Sequence, residues 1–131
     1  MAEEKSFENK VKKYLESKGI FAIGTSQYKM PIEPIGYYEK RWGGGFSKAG
    51  LPDLHVVVNG INIDIELKAT NGRLSELQQQ KLKQIVASKS LAMVLYPQDF
   101  YRLEKLIEGV IECGTVIAEL IAFLNVRTSI N

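Results

Sequence analysis

Apolar positions along the chain follow two periods, and their order predicts the elements. Phe7, Val11, Tyr14 and Leu15 recur on one face of a helix over residues 3–18, and Gly19 supplies its stop. Ile20, Phe21, Ile23 and Tyr28 predict a strand within residues 20–28. Residues 29–50 show no period. They carry Pro31, Pro34 and Gly43-Gly44-Gly45, and so read as one long irregular connection of the kind that often serves function. Two apolar runs, Leu54–Val58 and Ile61–Leu67, flank Asn59-Gly60, a dipeptide that favours a two-residue hairpin turn. A helix is predicted over 75–89, with Ser75 as its N-cap and Leu77, Leu82, Ile85 and Val86 on or near its apolar face. Leu91–Leu95 reads as a strand ended by Pro97. Residues 99–108 and 117–124 read as helices, although the last apolar stretch also fits a strand.

The resulting order, α-β-β-β-α-β-α with one more element at the end, predicts an α/β fold with a central mixed sheet flanked by helices. The 131 residues suit a single domain spanning 1–131, and no internal repeat is visible.

The hairpin carries the candidate chemistry. In Ile61–Leu67 the isoleucines and Leu67 alternate with Asn62, Asp64 and Glu66, and Lys68 continues the polar face. If Asn59-Gly60 is a tight turn, Val58 pairs with Ile61, and counting outward sets Asp53 opposite Glu66. Two adjoining carboxylates repel unless a cation intervenes, and such oxygen ligands suit magnesium or manganese. Lys68 adds a positive charge two residues along the same face, where it can stabilise charge on a phosphate. Alternation alone is also what a half-solvated strand shows. Cross-strand pairing is what distinguishes Asp53 and Glu66, whereas Asp64 is read as solvated. His55, the sole histidine, shares the face of Asp53 but is left outside the site.

Composition adds little. The net charge is +2, yet residues 1–50 hold nine Lys/Arg against six Asp/Glu and residues 51–131 hold eight against nine, so the basic excess lies near the glycine-rich stretch. Lys10, Lys12 and Lys13 are expected on the solvated face of the first helix. One cysteine, Cys113, excludes an intrachain disulfide and a cysteine metal cluster. No apolar run spans a bilayer, and the amino end lacks a signal-peptide core, so no membrane association is expected. The expected location is cytoplasmic, in a bacterial or phage-infected cell. Gly43-Gly44-Gly45-Phe46-Ser47-Lys48 is not a phosphate loop, so no nucleotide cofactor is expected.

Gly50-Leu51-Pro52-Asp53 followed at hairpin distance by Ile65-Glu66-Leu67-Lys68 resembles the PD-(D/E)xK nuclease superfamily. Gly72-Arg73-Leu74-Ser75-Glu76-Leu77-Gln78 narrows the likeness to the VRR-NUC domain, the virus-type replication–repair nuclease branch. The resemblance implies a restriction-endonuclease-like core and a structure-selective DNA endonuclease dependent on Mg2+ or Mn2+. It implies Asp53, Glu66 and the Leu67 carbonyl as metal ligands and Lys68 as the catalytic lysine. Gln78 would order the site, and Glu8 on the first helix would complete it, with Glu4 as the competing residue. Lys40, Arg41, Lys48 and Arg73 are the expected phosphate contacts, with Trp42 stacking on a base or wedging at a junction. The resemblance also implies a homodimer acting on branched DNA, including four-way junctions, with residues 110–126 a candidate dimer surface. The competing readings are a non-catalytic DNA-binding or assembly module, an RNA or restriction-type nuclease, and an unrelated α/β domain with a chance motif.

Overall fold

Asn59 and Gly60 set the geometry from which the sheet grows. Their φ values of 49° and 83° are both left-handed, the combination of a two-residue turn matched to strand twist. The computed structural model describes residues 2–41 and 49–128, with residues 115 and 117–128 described by backbone alone. From the turn, β3 (Leu54–Val58) and β4 (Ile61–Leu67) run back antiparallel, with Val58 opposite Ile61 and Leu54 opposite Ile65. This is the register expected from the sequence.

Around this hairpin lies a five-stranded sheet in the order β1-β2-β3-β4-β5. β2 (Gly36–Lys40) is antiparallel to β3, while β1 (Ile20–Ala22) and β5 (Leu91–Leu95) join parallel at the two edges. The helices are α1 (Ala2–Ser17), α2 (Glu76–Ala87) and α3 (Tyr101–Thr128). The chain therefore has a mixed central sheet flanked by helices.

Strand parity decides the core. Leu54, Val56, Val58, Ile63, Ile65, Leu67 and Leu95 point to one face and are buried against Phe7, Val11 and Leu15 of α1 and Leu103, Ile107 and Val110 of α3. Each large aliphatic side chain removed from water there contributes roughly 1.5–3 kcal/mol. Phe100 closes the end of this layer, edge-on to Phe7 and Tyr14 at centroid distances of 6.3 and 5.6 Å. Helix α2 packs on the opposite face beside β5, and none of its residues is buried. Leu82 and Ile85 are half-covered, but Leu77 and Val86 remain 41% and 56% exposed. The apolar face expected of this helix is thus only partly used.

Three expectations need correction. The predicted strand over 20–28 is only Ile20–Ala22, and a short 3-10 turn occupies Gln27–Lys29. The irregular stretch 29–50 contains β2, whose backbone is recruited by neighbours on both sides although its own side chains alternate weakly. The carboxyl end is one continuous helix, not two helices or a helix and a strand. Its interior glycines lower helical propensity by about 1 kcal/mol each without breaking the helix. Gly114 has a packing reason, because a Cβ there would lie 2.6 Å from Cβ of Asn59 in the hairpin turn. Among the described residues no helix is long and apolar enough to cross a membrane.

Gly60 tests the turn cleanly, since a Cβ there would meet nothing within 4 Å and the cost is backbone strain alone. Gly60→Ala is expected to lower stability by about 1–2 kcal/mol in urea titration with an unchanged denaturant slope. An undiminished midpoint would contradict the left-handed turn.

Candidate active site

Asp53 precedes β3 by one residue, so the hairpin register carries it opposite Glu66. The Leu67 amide donates to Asp53 Oδ2 at 2.8 Å, and the Asp53 and Glu66 carboxyls lie within hydrogen-bonding reach of each other. Glu66 is 3% exposed. Burial, and then the neighbouring Asp53, push the Glu66 carboxyl up to about 7, with Lys68 opposing. Burial also raises Asp53, against the Leu67 amide. A buried carboxylate pair without enough positive charge behaves in this way.

Helix α2 supplies the rest of this corner. Ser75 caps it, its hydroxyl accepting from the Gln78 amide at 3.1 Å while the Ser75 amide donates to Gln78 Oε1 at 2.9 Å. That reciprocal cap fixes the Gln78 side chain. Gln78 Oε1 also accepts from Lys68 Nζ at 3.0 Å, and Gln78 Nε2 donates to Glu66 Oε2 at 3.0 Å. Lys68 Nζ stands 3.4 Å from the same Glu66 oxygen. Asp53, Glu66, Lys68 and Gln78 thus form one connected group. Upstream, Gly50 at φ 82° passes so close to α2 that a Cβ would meet the Leu77 side chain at 2.7 Å, which lets the Pro52-Asp53 turn approach the helix.

A cleft of about 210 Å³ opens beside the pair, lined by Glu4, Lys5, Glu8, Lys40, Asp53 and Leu67. Glu8 is buried in its wall, and its carboxylate is already neutralised. Lys40 bonds Glu8 Oε1, while Lys12 and Lys5 stand 2.8 and 3.6 Å from Oε2. Burial would raise this carboxyl, but Lys12 and Lys40 outweigh it and bring it down to about 2. Lys12, expected on a solvated face, is thereby drawn inward. Glu4 is exposed at the cleft, near enough for its charge to act on Asp53. Glu3 takes a separate role, accepting from the Thr70 amide and hydroxyl at 3.0 and 2.7 Å.

Asp64 is not solvated. It is 6% exposed, and its Oδ1 accepts from Arg41 Nη1 at 2.8 Å and contacts His55 Nδ1 at 3.0 Å. The Arg41–Asp64–His55 cluster lies on the same sheet face as Asp53 and Glu66 and was missed in the sequence. Parity gave the face, but no local signal announced that Arg41 would fold over it. Of the expected phosphate contacts, Lys40 and Arg41 are engaged within the protein, whereas Arg73 is exposed and makes no ion pair among the described residues. Trp42, Gly43–Gly45 and Lys48 lie outside the described residues.

Among the described residues no three His, Cys, Asp or Glu side chains converge as a metal cage. Asp53 and Glu66 nevertheless suit a magnesium-sized cation, which keeps several waters and takes one or two carboxylates. The carbonyl of a strand residue points to the same neighbour as its N–H, so the Leu67 carbonyl is directed to the β3 side, as its amide is. Two adjoining carboxylates both raised by burial, one of them further by its neighbour, are the electrostatic signature of a place for added positive charge.

The carboxylates have opposite effects on stability. Glu66 titrates near 7 folded against 4.5 unfolded, so the metal-free chain loses stability as pH rises between those values. Asp53→Asn, which keeps an acceptor for the Leu67 amide, is expected to stabilise the metal-free protein at pH 8 by about 1–3 kcal/mol and to give no gain at pH 4.5. Glu8 titrates near 2 folded against 4.5 unfolded, so its contribution is complete above 4.5 and fades as pH falls toward 2. Glu8→Gln is therefore expected to cost about 2 kcal/mol at pH 7. Thermal melts in EDTA across this pH range measure both, and matching signs for the two variants at neutral pH would contradict the assignment.

Compared with family models and with curated proteins, the sequence matches none.

Proposed function

We propose that this protein is a divalent-metal-dependent deoxyribonuclease with a restriction-endonuclease-like core, similar to VRR-NUC domains of the PD-(D/E)xK superfamily. The observation that carries the reading is the meeting of Asp53 and Glu66 at the open end of the hairpin, with Lys68 tethered beside them through Gln78. A binding module or a purely structural hairpin has no need of a buried pair of like charges, which costs folding free energy unless a cation joins it.

Asp53, Glu66 and the Leu67 carbonyl would hold Mg2+ or Mn2+. Bound there, the cation would supply Lewis acidity toward a phosphodiester and make water a stronger nucleophile near neutral pH. The protein's own groups do the positioning. Glu66 is oriented by Gln78, and Asp53 is oriented by the Leu67 amide. Lys68 stands at the edge of the pair, where its ammonium can stabilise negative charge on the phosphate being cut. Lys5, 59% exposed at the cleft, and the exposed Arg73, five residues after Lys68, would attract flanking phosphates.

The cleft is small, about 210 Å³, and its charged lining offers backbone contacts rather than base contacts. Such a site takes a phosphodiester by backbone and shape, which favours branched DNA such as a four-way junction. Paired cuts across a junction would require a two-fold homodimer. Val110, the first residue of the expected 110–126 surface, is taken up by the core, so the candidate contact on α3 lies about Val116, which is 60% exposed.

The test is cleavage of single-stranded, linear duplex, flapped, three-way and four-way DNA with and without Mg2+ or Mn2+, by wild type and Lys68→Ala. Metal-dependent cutting that falls about 10²–10³-fold or more in the variant is expected, with the branched substrates cut fastest. No cutting of any substrate, with DNA binding unchanged in the variant, would replace the enzyme by a binding module.

A further inference from the structure

The Pro52-Asp53 backbone lies beyond the β3–β4 ladder, whose last pair is Leu54 with Ile65. Arg41, immediately after β2, holds it by two bonds and reaches β4 by a third. Its amide donates to the Asp53 carbonyl at 2.7 Å, and its guanidinium Nη1 donates to the Pro52 carbonyl at 3.1 Å and to Asp64 Oδ1 at 2.8 Å. Asp64 in turn is two residues before Glu66 on the same face of β4. One side chain therefore ties the lead-in of Asp53 to the strand of Glu66.

We infer that Arg41 is a positioning residue for the Asp53–Glu66 pair, acting through Pro52 and Asp64, and not a phosphate contact. The inference rests on the metal-nuclease reading of that pair. Two arguments carry it. First, Nη1 is committed to Pro52 and Asp64, and drawing the guanidinium away toward a phosphate would leave Asp64, whose side chain is 8% exposed, with His55 alone. Second, both side-chain bonds leave Nη1, whose two hydrogens are fixed in the guanidinium plane and so point at a carbonyl and a carboxylate together, while the Arg41 amide holds the Asp53 carbonyl. Lysine keeps the charge, but its freely rotating ammonium fixes neither donor direction. His55, 24% exposed, completes the hydrogen bonding of Asp64 and so supports the same arrangement from β3.

The role predicts effects on cation affinity, which a phosphate contact does not. Wild type, Arg41→Ala, Arg41→Lys and Asp64→Asn are titrated with Mn2+ by calorimetry without DNA, and with a four-way junction in EDTA by fluorescence anisotropy. Arg41→Ala is expected to weaken Mn2+ binding about 10–100-fold and to lower kcat comparably, with junction affinity in EDTA within about threefold of wild type. Asp64→Asn shifts Mn2+ affinity in the same direction, and Arg41→Lys restores neither Mn2+ affinity nor kcat.

Circular dichroism identifies the folded variants; should Arg41→Ala fail to fold, Asp64→Asn and Arg41→Lys decide. Folded variants that bind Mn2+ as wild type does would overturn the positioning role. So would a loss of junction affinity in EDTA that lysine repairs, which is the behaviour of a phosphate contact. A wild type that binds Mn2+ and cuts DNA, with unaffected variants, would remove only this inference. A wild type that neither binds Mn2+ nor cuts DNA would remove the nuclease reading and this inference with it.

Discussion

Everything at the site depends on the register of one hairpin. A strand places alternate side chains on opposite faces, so a one-residue slip between β3 and β4 would send Asp53 and Glu66 to different partners and bury the wrong set of residues. Asn59 and Gly60 prevent that slip by adopting left-handed backbone angles that only a two-residue turn of this hand requires. The core reinforces the choice, because the same register that faces Asp53 with Glu66 sets Leu54 on Ile65 and Val56 on Ile63 in the buried layer. The hydrophobic burial that stabilises the fold thus also offsets the cost of bringing two carboxylates together.

The cleft sorts its carboxylates by their partners. Glu8 has three ammonium groups around it and is held ionised well below the usual range. It is buried on α1 beside the core, with its charge already balanced. Asp53 and Glu66 have the ammonium of Lys68 beside them and are shifted the other way. An added cation gains most beside the uncompensated pair and least beside Glu8. Glu8 is therefore better placed to organise Lys5, Lys12 and Lys40 than to coordinate, and Glu4, exposed on the same cleft, is the acidic side chain of α1 still open to a cation.

What was legible in the sequence was whatever depends on local rules. The Asn-Gly turn dictated its register, Ser75 announced the start of α2, and Pro97 bounded β5. What was not legible depends on distant neighbours. β2 is a strand because β1 and β3 flank it, and Pro31, Pro34 and the following glycines disguised it as loop. Asp64 has the same parity as exposed Asn62, yet it is covered because Arg41 reaches it from 23 residues away. Lys12 likewise looked solvated until Glu8 and β2 enclosed it. Alternation tells which face a residue takes, but cannot tell what will lie over that face.

Gln78 shows how closely folding and the proposed chemistry share atoms. As the third residue of α2 it completes the cap with Ser75, a task that glutamate performs equally well. Its second task separates the two. The Oε1 atom accepts from both the Ser75 amide and Lys68, while Nε2 donates to Glu66. A carboxylate could keep the first two bonds but could not donate the third, and would place another negative charge against a Glu66 already raised by burial and by Asp53. The amide is thus the side chain that can cap the helix, anchor the lysine and satisfy the buried carboxylate at once. It also couples α2, otherwise only loosely packed on its face of the sheet, to the two residues at the end of β4 on which the proposed activity rests.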